Sequence, residues 1–167
     1  MKVSSAQEHY DSGNIPMDDL MQSLGYVMLN WSLLERAVLD DIKRLRKADG
    51  DSGETSIRSR GSFSERLAEW RALVSLKSRR NSQAASEVGE IATQAERLRR
   101  MRNLIAHHFT GAEQTERAEC QALVSEGGVS SLRSSQTVFT ATALKALNEE
   151  MREVRSRVLR LKDVLAL

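Results

Sequence analysis

Seven apolar residues near the C-terminus, Leu144, Leu147, Met151, Val154, Val158, Leu161 and Leu165, follow one another in alternating steps of three and four. That spacing brings side chains onto one face only in an α-helix, with its 3.6 residues per turn. Three further segments share the rhythm. Leu20, Leu24, Val27, Trp31, Leu34, Val38, Ile42 and Leu45 form one stripe, and Phe63, Leu67, Trp70 and Val74 a shorter one. A helix from about Ser86 carries Val88, Ile91, Ala95, Leu98, Arg102, Ile105 and Phe109 in register, with Gly111 as a stop. Each stripe must be covered, and four of them in one chain predict an all-α fold, an antiparallel bundle of four to five helices. The coiled-coil-like seams leave room for one helix to face a second copy of the chain.

The segments between the stripes set the organisation. The first helix is expected near Pro16 or Met17 with Asn14 as its cap, after a loose N-terminus over residues 1–15. DGDSGETSIRSRGS, residues 49–62, is a flexible polar loop, and KSRRNSQ, residues 77–83, a polar connector. Residues 112–140 lose the helical period. ALVS (122–125) and QTVF (136–139) flank a Gly-Gly turn there, which predicts a small β-hairpin between the last two long helices. With 167 residues and no internal repeat, the chain reads as a single domain, 1–167.

Composition narrows the class of function. At 40% hydrophobic and 29% charged residues, the chain reads as a globular protein. A net charge of +2 sets up no global field for nucleic acid. Nineteen arginines stand against six lysines, a bias that serves phosphate binding or simply follows a GC-rich genome. The single cysteine, Cys120, has no internal disulfide partner, which suggests a reducing compartment. The N-terminal residues lack the apolar core of a signal peptide and no run is long enough to span a membrane, so a cytoplasmic protein is expected. His107 and His108 are adjacent rather than one turn apart, and His9 lies far off, so neither a metal site nor a cofactor is expected.

The residue that breaks the third stripe is Arg102. A guanidinium stays charged at any accessible pH, and burying it without a partner costs on the order of 3–5 kcal/mol. A buried acid or a bound phosphate is therefore expected. Glu35 projects into the apolar sector of the first helix that contains Trp31, and either pairs with Arg102 or snorkels to the bundle edge. His107 follows five residues later, about 140° round an unbroken helix from Arg102. The two converge only through a kink, a helix end or a second subunit. Asn103 is placed to brace either group through its amide.

Arg102-Asn103-Leu104-Ile105-Ala106-His107 resembles the Arg-x4–6-His motif of HEPN domains, helical bundles found in bacterial toxins and RNA-targeting defence systems. The asparagine after the arginine is frequent in that family. GYVMLNWSLLE, residues 25–35, is similar to the first-helix signature of some HEPN-like proteins, with Trp31 and Glu35. The resemblance is sharp at those two places only.

It implies metal-independent cleavage of RNA at a composite site shared by two protomers, in a toxin or phage-defence effector whose partners are RNA, a second copy and an antitoxin or regulator. The ribose 2′-OH would attack the adjacent phosphate. His107 would act as the acid–base, Arg102 would hold charge on the five-coordinate phosphorus, and Asn103 would brace. Glu35 would be the structural partner of Arg102. His108 is either a second acid–base group or a solvated neighbour. Arg99 and Arg100 either lie in solvent or steer RNA phosphates. Many HEPN toxins carry a tyrosine, adenylylated in some systems, where this chain has Phe109, so control of that kind is in doubt. The rival reading is a non-catalytic HEPN-like module that binds RNA, nucleotides or a partner protein.

Overall fold

A computed structural model describes residues 15–48, 61–79, 81–114, 120–126 and 135–164. In chain order these form α1 (Ile15–Ala48), α2 (Phe63–Lys77), α3 (Ser82–His108), β1 (Phe109–Gln114), β2 (Cys120–Glu126), β3 (Ser135–Thr140) and α4 (Ala141–Val164). The fold is mostly helical, with one small antiparallel sheet in the order β1-β2-β3. Of the segment expected to be a loose N-terminus, residues 1–14 lie outside the described residues and Ile15 already belongs to α1. All but the end of the 49–62 loop, the Gly-Gly turn and Leu165 also lie outside them. None of the helices described is long and apolar enough to cross a membrane.

The four apolar stripes become one continuous core. Leu20, Val27, Trp31, Leu34, Val38, Ile42 and Leu45 of α1 are buried, as are all four stripe residues of α2 and the six described stripe residues of α4. At 34 residues, α1 is the longest helix. It packs most extensively on α4 and also on α2 and α3, while α3 and β2 close the remaining side. Its polar anchor is Asp41, only 1% exposed. The Asp41 carboxylate accepts the Trp70 indole N–H at 2.8 Å and a bond from Arg44 Nη2 at 2.7 Å, so the buried charge is paired and hydrogen-bonded. The bundle is not antiparallel throughout, as its sequence led us to expect. The contacts of α1 with α2 (Trp31–Phe63, Glu35–Arg66, Asp41–Trp70) and with α4 (Asp19–Lys145, Ser23–Asn148) advance in the same direction along both helices. Only α3 runs against α4 (Arg97–Glu150, Glu87–Arg157).

The helix ends follow local chemistry. Ser62 caps α2 in a capping box, its hydroxyl accepting from Glu65 N while Glu65 Oε2 accepts from Ser62 N at 2.7 Å. Asn81 caps α3 by accepting from Ala84 N at 3.0 Å. The third helix therefore starts at Ser82, a turn earlier than its apolar stripe suggests, because a cap can begin a helix before its first buried residue.

At the other end the sequence expectation needs correcting. The helical stripe does not run on to Phe109: α3 stops at His108, and Phe109 opens β1 with 41% of its surface exposed. The predicted hairpin forms between β2 and β3, pairing Ala122 with Phe139 and Val124 with Thr137. Its partner β1 was not expected, so the structure holds a three-stranded sheet rather than a lone hairpin. Burying Ala122, Val124 and Phe139 against the helices leaves the other edge of β2 with unpaired backbone groups, and β1 pairs them, through an irregularity between Phe109 and Gly111.

Candidate functional site

Arg102 lies on the inner side of α3, half-buried, in the seam its spacing assigns to it. Its guanidinium carbon sits 5.7 Å from the centroid of the Trp31 ring on α1, a cation–π contact of about 1–2 kcal/mol when partly desolvated. Nη1 donates to the Oδ1 of Asn103 at 2.9 Å. Nε is buried with no hydrogen-bond partner. Among the described residues no carboxylate pairs with this arginine. An aromatic face and one neutral amide are what hold the charge. Neither neutralises it, so the site favours an incoming anion.

Glu35 does not supply the counter-charge. It lies 3.8 Å from Nη2 of Arg66 on α2, so the expected Glu35–Arg102 pair is not formed. The reason is the approach of α2: Phe63 meets Trp31 edge to face, ring centroids 4.6 Å apart and planes at 65°, which brings Arg66, one turn on, to Glu35, one turn past Trp31. At 3.8 Å the pair is outside hydrogen-bonding range and leaves the arginine's donors unused. Arg66 Nε is also buried without a partner, and so is the indole Nε1 of Trp31, a residue only 1% exposed. Each such orphaned donor costs about 1–3 kcal/mol.

His107 and His108 occupy the last turn of α3, both exposed. Because α3 runs unbroken from Ser82 to His108, the angular separation stands: His107 points about 140° away from Arg102 and away from the Trp31 seam. Asn103 is brought to Arg102, and the histidines are not. Neither histidine has a hydrogen-bonding or ionic partner among the described residues.

The two flanking arginines differ. Arg99 is locked onto Glu96 by Nε and Nη2, at 2.8 and 2.6 Å, and Glu96 also accepts the Ser64 hydroxyl at 3.0 Å. The bond from Arg99 holds the Glu96 carboxyl below its ordinary range, and in return raises the arginine's own pKa. Glu96, held by Arg99, thus ties the start of α2 to α3, and Arg99 has few donors left for RNA. Arg100 is exposed and has no such tie among the described residues. No group of three or more histidine, cysteine or acidic side chains among the described residues could hold a metal ion.

The residue that sequence spacing passed over is Arg66. It stands between Phe63 and Leu67, on the shoulder of the α2 stripe, which is the same kind of anomaly as Arg102. A charged residue beside an a/d position more often snorkels, so spacing alone does not mark it. The arrangement as a whole offers a partly open cationic seam on three helices and, on a different face of α3, a pair of free imidazoles. No family model matches this chain, and no curated protein or solved structure matches it either.

Proposed function

We propose that this chain is a metal-independent endoribonuclease of HEPN type, a bacterial toxin or phage-defence effector acting in the cytoplasm as a homodimer. One observation carries this reading: Arg102 stands in an apolar seam with no carboxylate partner among the described residues. A permanent charge held in that way is suited to a phosphate, and above all to the extra charge of a five-coordinate phosphorus.

The chemistry follows from the residue types. His107 of one protomer takes the 2′-OH proton or protonates the leaving 5′-oxygen, contributing roughly 10²–10⁴-fold. Arg102 clamps the phosphate, and Asn103 fixes the fork of the guanidinium. Since His107 and Arg102 diverge on one helix, the pair that acts together comes from two copies of the motif. Phe109 has no hydroxyl to accept an adenylyl group, so silencing by that modification is not available at this position.

The test is cleavage of mixed-sequence RNA in EDTA by wild type, His107→Ala and Arg102→Ala, each checked for folding by circular dichroism and for dimerisation by light scattering. Cutting by wild type alone, with 2′,3′-cyclic phosphate ends, is the expected result. Equal cutting by all three proteins would overturn the assignment of the site. RNA binding without cutting by a folded dimer would instead favour a non-catalytic binding module.

A further inference from the structure

Three buried N–H donors without partners, Nε1 of Trp31, Nε of Arg66 and Nε of Arg102, come one each from α1, α2 and α3. The residues of two of them, Trp31 and Arg102, are in direct contact, and the third lies one turn along. Trp31 carries the Arg102 guanidinium on its ring and meets Phe63 edge-on, and one turn further along both helices Glu35 faces Arg66. Buried donors are nearly always satisfied, so three orphans on adjoining helices, within a turn of the Trp31–Phe63 contact, mark a place suited to acceptor oxygens. Two of the three belong to guanidinium groups, whose forks match the tetrahedral oxygens of a phosphate. Arg66 and Glu35 are not sealed off, with side chains 22% and 28% exposed, so a ligand reaches them from solvent.

We propose that Arg66 is a second phosphate-binding residue of this site, gripping a backbone phosphate of single-stranded RNA together with Arg102. The choice of RNA rests on the function proposed above. Glu35 then acts as a placeholder: it balances Arg66 at 3.8 Å without occupying its N–H groups, and it gives way when phosphate oxygens arrive.

The probe is a fluorescein-labelled single-stranded RNA with 2′-O-methyl riboses. It cannot be cleaved by 2′-OH attack, so binding is read separately from catalysis. Affinity is measured by anisotropy over a salt series for wild type, Arg66→Ala, Arg66→Lys and Glu35→Gln, with melting temperatures alongside. Arg66→Ala is expected to weaken binding about tenfold. It should also lower the slope of log affinity against log salt by about 0.7, the signature of one lost phosphate contact on a single strand. Arg66→Lys should keep the slope and lose about threefold in affinity, since the point charge remains and the fork does not.

Glu35→Gln distinguishes a ligand role from a structural one. Removing a mere structural partner would leave affinity unchanged or lower it, whereas removing a competitor for Arg66 should raise it about threefold. Unchanged affinity and slope in a folded Arg66→Ala protein would overturn the proposal, as would tighter binding absent from Glu35→Gln. Failure of the wider functional reading looks different. If wild type binds the probe with the Arg66-dependent slope yet never cuts ordinary RNA, catalysis falls and the phosphate site stands. If ordinary RNA is cut and Arg66→Ala binds as wild type does, the reverse holds. No RNA binding by wild type overturns both.

Discussion

Trp31 carries the guanidinium of Arg102 over its ring, 5.7 Å from the centroid, while its own indole N–H finds no acceptor. A tryptophan that only filled space would gain by losing that N–H. Trp31→Phe removes the orphaned donor and leaves an aromatic face, so its cost should stay within about 1–2 kcal/mol. Trp31→Ala opens a cavity and strips the cation–π contact, for about 3–5 kcal/mol. Urea denaturation of the two variants measures both, and equal losses would remove the indole N–H from the argument.

The divergence of Arg102 and His107 around α3 leads to a complementation test. Neither His107→Ala nor Arg102→Ala should cut RNA alone. Mixed and allowed to exchange subunits, the two should regain a measurable part of the wild-type rate, because one site of each heterodimer then has an intact arginine facing an intact histidine. No recovery after verified exchange would place the whole site within one protomer.

Asn103 accepts from Arg102 at 2.9 Å, so its charge matters. Asn103→Asp puts a carboxylate against the guanidinium and supplies the counter-ion the seam lacks. RNA affinity should fall about tenfold while stability holds or rises slightly. A variant that binds RNA as well as wild type would mean that Arg102 does not meet the phosphate.

Asp41 ties α1 to α2 through the indole of Trp70, and Ser62 starts α2. Asp41→Ala leaves a buried indole N–H unpaired and releases the bond to Arg44, for about 3 kcal/mol. Ser62→Ala loses half of the capping box, for about 1 kcal/mol. Chemical denaturation separates the two effects, and a larger loss in Ser62→Ala would show that the start of α2 holds more of the fold than the cap alone.

The acid side of the stability curve follows from two carboxylates. The bond from Arg157 holds Glu87 below its ordinary value of 4.5, and the bond from Arg99 does the same for Glu96. A carboxylate whose folded pKa is depressed contributes stability that is fully present above its unfolded pKa and is lost as pH falls through the folded value. Stability should therefore hold down to about pH 5 and decline below that. Glu87→Gln should be less stable than wild type at neutral pH and show a shallower acid limb. Identical acid limbs would mean that the Arg157 network contributes nothing measurable.

By itself the sequence determined the helices and the core, because a 3–4 spacing of apolar residues is a local property that needs no partner to be read. It also marked Arg102 as out of place, and the β-prone pieces ALVS and QTVF either side of a Gly-Gly turn marked two of the three strands. Phe109 was misplaced because its spacing continued a helix that ends one residue earlier, where strand pairing with β2 outweighs one more buried side chain. Only the tertiary structure decided the charges. Glu35 and Arg102 both face inward, yet the edge-on approach of Phe63 to Trp31 delivers Arg66 to the acid and leaves Arg102 over the indole. Periodicity tells which way a side chain points. Which charge it meets depends on how neighbouring helices are rotated and shifted, and a difference of one turn, about 5 Å, changes the partner.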